Sequence, residues 1–296
     1  MSTIRIGLIQ TTCGEDIQRN FNKAIENIKQ AADKGANIIC LQELFKSTYF
    51  CQVADPQLFE LAEEVDENSA SVKTLRDVAE ELGIVLIAGL FEKRAPGVYH
   101  NCAVVIDADG SYLGKYRKMH IPEYPHYYEK FYFTPGDLGY QAFETKFGKI
   151  GVLICWDQWF PEAARLTAMK GAEIIFIPTA IGGIQENGAS QDSGERSAWE
   201  VVQRGHAVAN GCFLAAVNRV GFEADPSGKG GLQFSGGSFI SDPYGRIIKQ
   251  ASETEEEILI QEIDLSFVDE VRDLLAQFFR DRRIDSYGDL TKRFLD

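Results

Sequence analysis

Three residues of this chain stand where nucleophilic chemistry would be done. Cys155, in GVLICWDQWFPEAARL, closes an apolar strand, and Pro161 opens a helix soon after. The thiol therefore sits on a strand-to-helix turn, where backbone N–H groups and a helix N-terminus favour an oxyanion and a thiolate. A buried structural cysteine is the ordinary alternative, and Cys40, Cys102 and Cys212 are read that way. A thiol nucleophile needs a base. Glu43 follows the apolar run IICLQ, and partial desolvation there would raise a carboxylate toward the pKa of a general base. A solvated strand-end acid is the alternative, and His120 and His126 are rival bases. Lys118, in GKYRKMHIPEY, follows a strand beside Lys115 and Arg117. A fixed ammonium would stabilise an oxyanion and lower the thiol's pKa, although a basic surface cluster explains it as well. Singly, each residue is ambiguous.

The elements that must hold these residues read as one plan used twice. Ile4 to Ile9 alternate into a strand. Residues 17–34 carry Phe21, Ala24, Ile25, Ile28, Ala31 and Ala32 at helical spacing, with Gly35 as a stop, and GANIICLQE supplies a strand buried on both faces. Residues 149–180 repeat the order: KIGVLICWD, a helical PEAARLTAMK, then GAEIIFIPTA. Helices over 70–82 and 195–210 each precede another apolar strand. Two hairpin-like pieces, AVVIDADGSYLGKY and GSFISDPYGRIIKQ, follow. The expectation is an α/β fold built from two duplicated β-α-β-α-β-β halves within a single domain over 1–296. Three irregular stretches, 43–56, 117–140 and 180–195, follow strand ends, where open α/β sheets bind ligands.

Composition narrows the setting. The 296 residues are 45% hydrophobic and 25% charged, the balance of a globular chain with a large core. Thirty basic against forty-four acidic residues leave a net charge of −14, which disfavours nucleic acid and anionic lipid as partners. Six cysteines lack CxxC spacing and the four histidines are unpaired at helical spacing, so no structural metal is expected. No apolar run approaches a membrane span, and the N-terminus enters a strand without a leader pattern. A cytoplasmic protein with reduced thiols is expected.

The glutamate in LQELF, the lysine in KYRKMHIPE and the cysteine in LICWDQWFPEAARL resemble the Glu-Lys-Cys triad of the nitrilase superfamily of carbon–nitrogen hydrolases. The similarity runs from IRIGLIQ to FFRDRR. It implies an αββα sandwich, catalysis without metal or organic cofactor, and subunits paired into a homo-oligomer, a dimer or larger. The segment from about 266 to 296, with Leu275, Phe278 and Phe279, would then pack on a partner. By the same resemblance Cys155 is the nucleophile, Glu43 the general base and Lys118 the oxyanion-stabilising cation. The backbone N–H of Trp156 would assist that cation, and Glu129, in HYYEKFYFTPGD, matches a second glutamate that positions substrate or orients Lys118.

Within the superfamily, ELFKSTYFCQ, KMHIPEYPHYYEKFYFTPGD and CWDQWFPEAARL resemble the branch that cleaves the ureido group of N-carbamoylputrescine. Neighbouring branches act on β-ureidopropionate, N-carbamoyl amino acids or ω-amides. The resemblance implies a small ureido or amide substrate, with Tyr49, Phe50, Tyr124, Trp156 and Ile181 lining a channel for its aliphatic chain. One departure stands out: the acid expected just after Ala180-Ile181-Gly182 is missing, leaving Glu186 or Glu195 to face the ammonium of a cationic substrate. A catalytically silent binding subunit is the alternative of another class, and the intact triad argues against it.

Overall fold

The computed structural model describes residues 2–186, 189–190, 195–226, 228, 230–275 and 277–295, without the side chains of 186, 189, 190, 195 and 275. Strand β1 (Thr3–Gln10) leads to helix α1 (Ile17–Asp33). Asp16 caps that helix by accepting from the Arg19 N–H at 3.0 Å, and Phe21, Ala24, Ile28 and Ala31 form its buried stripe. After β2 (Ile38–Leu41) and α2 (Ala70–Leu82), Gly83 takes the left-handed cap conformation (φ 65°) that turns the chain into β3 (Val85–Ala95). The hairpin β4 (Val98–Ile106) and β5 (Tyr112–Arg117) follows. A one-turn helix α3 (Glu129–Tyr132) interrupts the long loop to β6 (Ala142–Thr145).

The second half opens with β7 (Gly148–Val152), α4 (Pro161–Met169) and β8 (Ile174–Pro178). Next come β9 (Gly182–Glu186), β10 (Ala189–Ser190), α5 (Glu195–Asn210) and β11 (Phe213–Val217). It ends with β12 (Val220–Ala224), β13 (Gly230–Ser235), β14 (Phe239–Ser241), β15 (Ile247–Gln250), β16 (Glu257–Asp264) and α6 (Ser266–Glu270).

Two six-stranded sheets result, ordered β16-β1-β2-β3-β4-β5 and β6-β7-β8-β11-β14-β15. In each, three parallel strands stand between an antiparallel edge strand and an antiparallel pair. The expected αββα sandwich of duplicated halves is therefore present, with each hairpin supplying two strands. Sequence pattern missed the two extra edge strands, β6 and β16, whose polar faces weaken the apolar signal.

Alternation assigns the layers. Ile6, Leu8, Ile38, Cys40, Val85 and Ile87 join the core between the sheets, whereas Ile9, Ile39, Leu41 and Leu86 face α1 and α2. Trp199 and Ala207 of α5 and Ala163, Ala164 and Ala168 of α4 cover the other sheet.

The described part of the stretch 180–195 is more regular than expected. It supplies β9 and β10 of a third sheet, ordered β10-β9-β13-β12. Among the described residues no helix is long and apolar enough to cross a membrane.

Candidate active site

Cys155, Glu43, Lys118 and Glu129 come from four separate parts of the chain and meet as one buried cluster. Each of the first three sits just beyond a strand, where the ladder ends and the side chain is released into the site. Glu43 follows β2. The backbone of β3 passes so close that a Cβ on Gly89 would stand 3.2 Å from the Glu43 Cα and 3.1 Å from the Leu44 nitrogen. Leu44 takes a left-handed φ of 49°, which turns the chain away. Lys118 follows β5, its N–H donating to the Asn101 carbonyl at 2.9 Å and its carbonyl accepting from Gly136 N–H at 2.8 Å. A side chain at Gly136 would overlap the Arg117 carbonyl, so only glycine lets the two segments lie this close.

Cys155 opens a 3-10 turn, Cys155–Trp159, with φ 43°. Left-handed backbone at a non-glycine residue costs about 1–3 kcal/mol and persists only where the surroundings dictate it. Here they do. The Asp157 carboxylate accepts from the Ile154 N–H (3.0 Å), the Tyr116 hydroxyl (2.8 Å) and the His120 N–H (3.0 Å), and lies 2.7 Å from His120 Nδ1. Trp199 donates its indole N–H to Gln158 at 2.8 Å, and the His206 ring binds the Gln158 carbonyl at 2.8 Å. The two rival bases are thus accounted for differently: His120 braces the turn through Asp157, and His126 lies in the loop at φ 63°.

Lys118 Nζ donates to Glu43 Oε1 at 2.8 Å and to Glu129 Oε2 at 2.7 Å. Asn101 donates to the same Glu43 oxygen at 2.6 Å. Glu43 Oε2 is buried and has no hydrogen-bond partner among the described residues. The carboxylate is thus gripped at one oxygen and left open at the other. Glu129 Oε1 accepts from the Tyr49 hydroxyl at 2.6 Å.

Burial is the largest influence on Lys118, Glu129 and Cys155. It disfavours the charge of Lys118, but Glu129, Glu43 and Cys155 more than reverse this and hold the ammonium well above its ordinary pKa. Burial raises Glu129 to about 7, against the pull of Lys118 and with the help of Glu43. The Cys155 thiol is pushed well above its ordinary value by burial and then by Glu43, which together outweigh Lys118 and a hydrogen bond from the Ala180 backbone. Lys118 does lower the thiol's pKa, as expected, but burial and Glu43 outweigh it and the net shift is upward. At rest the sulfur is a neutral thiol beside a carboxylate, and it needs a proton acceptor at the moment of attack.

The expected channel residues divide. Trp156 and Tyr124 remain partly exposed with ring centroids 5.4 Å apart, and Tyr124 stacks on Tyr127 at 4.5 Å. Ile181 is partly exposed, its peptide gripped at both ends by Asn218 at 3.0 Å. Tyr49 lies behind the cluster as the partner of Glu129. Phe50 is drawn away into packing, its ring 5.0 Å from Phe91 and 5.1 Å from Tyr132. The side chains of Glu186 and Glu195 lie outside the described residues. Asn101, Asn218, Arg219 and Glu223 escaped sequence reading, although AAVNRVG shows two polar residues directly after a buried strand, the signal that marked Glu43.

The model of the carbon-nitrogen hydrolase family matches residues 5–273. The chain belongs to that family. As a carbon–nitrogen hydrolase it is 44% identical over 286 residues to an N-carbamoylputrescine amidase of Arabidopsis thaliana, covering 95% of this chain and 93% of that relative. It is 39% identical over 294 residues to a citrullinase of Francisella tularensis, covering 99% and 100%. The crystal structure of a carbon-nitrogen hydrolase from Helicobacter pylori G27 has the same fold, with a TM-score of 0.92, 48% identity, and coverage of 99% of this chain and all of that one.

Proposed function

We propose that this hydrolase converts N-carbamoylputrescine and water to putrescine, ammonia and carbon dioxide, a step of polyamine synthesis, through a covalent intermediate on Cys155. The observation that carries the chemistry is the half-occupied Glu43 carboxylate: Lys118 and Asn101 hold Oε1, and Oε2 is buried and open. Glu43 takes the thiol proton as Sγ attacks the ureido carbon, and the carbonyl electron pair moves onto oxygen. Lys118 and the Trp156 backbone N–H stabilise that oxyanion. Collapse expels one nitrogen, which leaves with the proton held by Glu43. Glu43 then deprotonates water for attack on the acyl-enzyme, the C–S bond breaks, Cys155 leaves as the thiol with the proton returned by Glu43, and the released carbamate loses carbon dioxide. Glu129, fixed by Tyr49, keeps Lys118 oriented and substrate placed.

Likeness to the N-carbamoylputrescine amidase supports the substrate. Likeness to the citrullinase supports a second reading, because citrulline presents the same ureido group on a chain that also bears a carboxylate. A net charge of −14 favours the purely cationic substrate. The test is ammonia release from N-carbamoylputrescine by wild type and by Cys155→Ala, with citrulline and β-ureidopropionate alongside. Turnover of N-carbamoylputrescine at kcat/KM at least tenfold above the other two, abolished in the variant, supports the proposal. A preference for citrulline removes the substrate reading and leaves the chemistry. Silence on all three revives a binding subunit.

We further propose a homo-oligomer in the cytoplasm. Leu274, Ile284, Leu290 and Phe294 are each at least 65% exposed in the isolated chain, an apolar tail suited to a partner subunit, and the described cysteines are all free thiols. Light scattering that returns the mass of a monomer would sink the first part.

A further inference from the structure

Arg219 stands two residues past β11 and is fully buried. Its guanidinium donates to the carbonyls of Glu43 (2.9 Å), Leu44 (3.2 Å) and Ser47 (3.3 Å), and to Glu223 Oε1 (2.7 Å). It also lies 5.2 Å from the centre of the Phe234 ring and 5.9 Å from that of Tyr49. The second oxygen of Glu223 accepts from the Tyr49 N–H at 2.5 Å, and the Tyr49 hydroxyl is the donor that holds Glu129. One buried ion pair, between Arg219 just before β12 and Glu223 on it, thus reaches the main chain of one carboxylate and, through a tyrosine, the side chain of the other.

A buried ion pair is weak evidence for stability, since apolar residues of similar volume often serve a fold as well. This one has a geometric task. The turn after β2 carries the left-handed Leu44, and it would relax if its carbonyls were free to rotate. A planar fork with five donors can hold several carbonyls and a carboxylate at once, which a single ammonium cannot.

We propose that Arg219 and Glu223 are positioning residues that set both carboxylates against Lys118 and Cys155. The pair grips Glu43 from behind through its own carbonyl and that of Leu44, and steadies Glu129 through Tyr49. This rests on the reading of Glu43 as the proton acceptor for Cys155.

The experiment compares Arg219→Lys and Glu223→Gln with wild type in the full-length protein. It measures kcat and KM on N-carbamoylputrescine and, separately, the pH dependence of Cys155 alkylation by iodoacetamide. Intact mass follows that reaction, with Cys155→Ala as the control for other thiols. Arg219→Lys keeps the charge and loses the fork, so kcat should fall roughly 10- to 100-fold, the range expected for a misplacement of about 1 Å. KM should stay within about threefold, because the pair does not touch substrate. Alkylation near neutral pH should slow in parallel, because Glu43 no longer reaches the thiol to take its proton. Glu223→Gln, which keeps acceptor oxygen but no charge, should show the same changes at several-fold size.

A folded Arg219→Lys with kcat within twofold of wild type and an unchanged alkylation profile overturns the proposal. If that variant fails to fold, Glu223→Gln decides by the same two readings. If wild type does not hydrolyse N-carbamoylputrescine, the substrate reading fails alone and alkylation judges the pair. If Glu43→Gln leaves the alkylation profile unchanged, the role of Glu43 falls and the proposal falls with it.

Discussion

The two halves of the molecule share a frame down to single hydrogen bonds and differ where the frame stops. Strand pairing sets Ile6 beside Ile38 in one half and Ile150 beside Ile174 in the other. In this register Gly7 matches Gly151, and a Cβ on either would stand 3.1 Å from the equivalent alanine Cβ, Ala36 or Ala172. Asn37 donates its N–H to the Arg5 carbonyl at 2.8 Å, as Glu173 does to Lys149. The Asn37 side chain returns to the Arg5 N–H at 2.8 Å, and that of Glu173 to the Lys149 N–H at 2.7 Å. Beyond the frame the halves part. Thr11 occupies the place of Cys155, and Thr179 the place of Glu43. A duplicated sheet has offered the same strand ends twice, with the proposed nucleophile on one copy and the proposed base on the other.

The most severe way to break this comparison is to remove the chemical residues and their counterparts in turn. Cys155→Ala should lose roughly 10⁴-fold or more in kcat, as the loss of a nucleophile does elsewhere. Thr11→Ala should keep turnover within about twofold, a change typical of side chains outside the machinery. Glu43→Gln should lose on the order of 10³-fold, within the range for a general base. Thr179→Val should cost about 1 kcal/mol of stability with turnover nearly intact, because among the described residues its hydroxyl donates to the Ile177 carbonyl (3.0 Å) and, at 3.4 Å, to Gln158. Steady-state kinetics and urea unfolding decide both pairs. A Thr179→Val as crippled as Glu43→Gln would mean that the division of labour is wrong.

Glu129 sharpens the comparison through pH. Its folded pKa, about 7, stands above the ordinary 4.5, so the folded state binds its proton more tightly than the unfolded chain does. Stability from this group is greatest below about pH 4.5 and falls as pH rises to about 7. His206 and His100, buried and lowered from 6.5, act oppositely, losing stability as pH drops below that value. The useful quantity is therefore the difference between wild type and Glu129→Gln, in which the histidine contributions cancel. That difference should decline between about pH 4.5 and 7 and stay flat above. A difference flat between about pH 4.5 and 7 would show that Lys118 keeps Glu129 ionised across that window.

The two matched glycines offer a smaller contrast. A methyl on Gly7 meets Ala36 at 3.1 Å and Ile39 at 3.3 Å, which a slight shift relieves. A methyl on Gly151 would overlap the Thr167 methyl, on a buried side chain of α4. Gly7→Ala should cost about 1 kcal/mol and Gly151→Ala about 2–3 kcal/mol by urea unfolding, the span seen for overpacking. Equal costs would mean that α4 yields as readily as its first-half counterpart.

What could be read before the fold was known follows the same division. Cys155, Glu43 and Lys118 each follow an apolar run, and the repeat of those runs revealed the duplication. Arg219 also follows such a run, yet its partners besides Glu223 are main-chain carbonyls of a segment about 175 residues away, which no side-chain pattern displays. The third sheet was hidden for another reason: β9, β12 and β13 contain Gly182, Gly183, Gly221, Gly230 and Gly231, and glycines erase the alternation that marks a strand. The resemblance puts Phe50 in the channel beside Tyr49. The aromatic cluster around Phe91 and Tyr132 claims it instead, and nothing local distinguishes the two destinations.

The smallest effect is the most telling, because its sign reverses between the halves. Cys155 holds a φ of 43°, whereas its counterpart Thr11 has no positive φ. Alanine at 155 keeps the left-handed strain and glycine releases it, at the expense of a floppier unfolded chain. Relief of about 1–2 kcal/mol exceeds the entropic loss of about 0.5–1 kcal/mol, so Cys155→Gly should unfold at higher urea than Cys155→Ala. At Thr11 there is no strain to release, and Thr11→Gly should be less stable than Thr11→Ala by about 0.5–1 kcal/mol. Matching signs at the two positions would place the strain elsewhere than in the nucleophile's backbone. Opposite signs would locate it at the one residue where the second half leaves the shared frame to aim a thiol at Glu43.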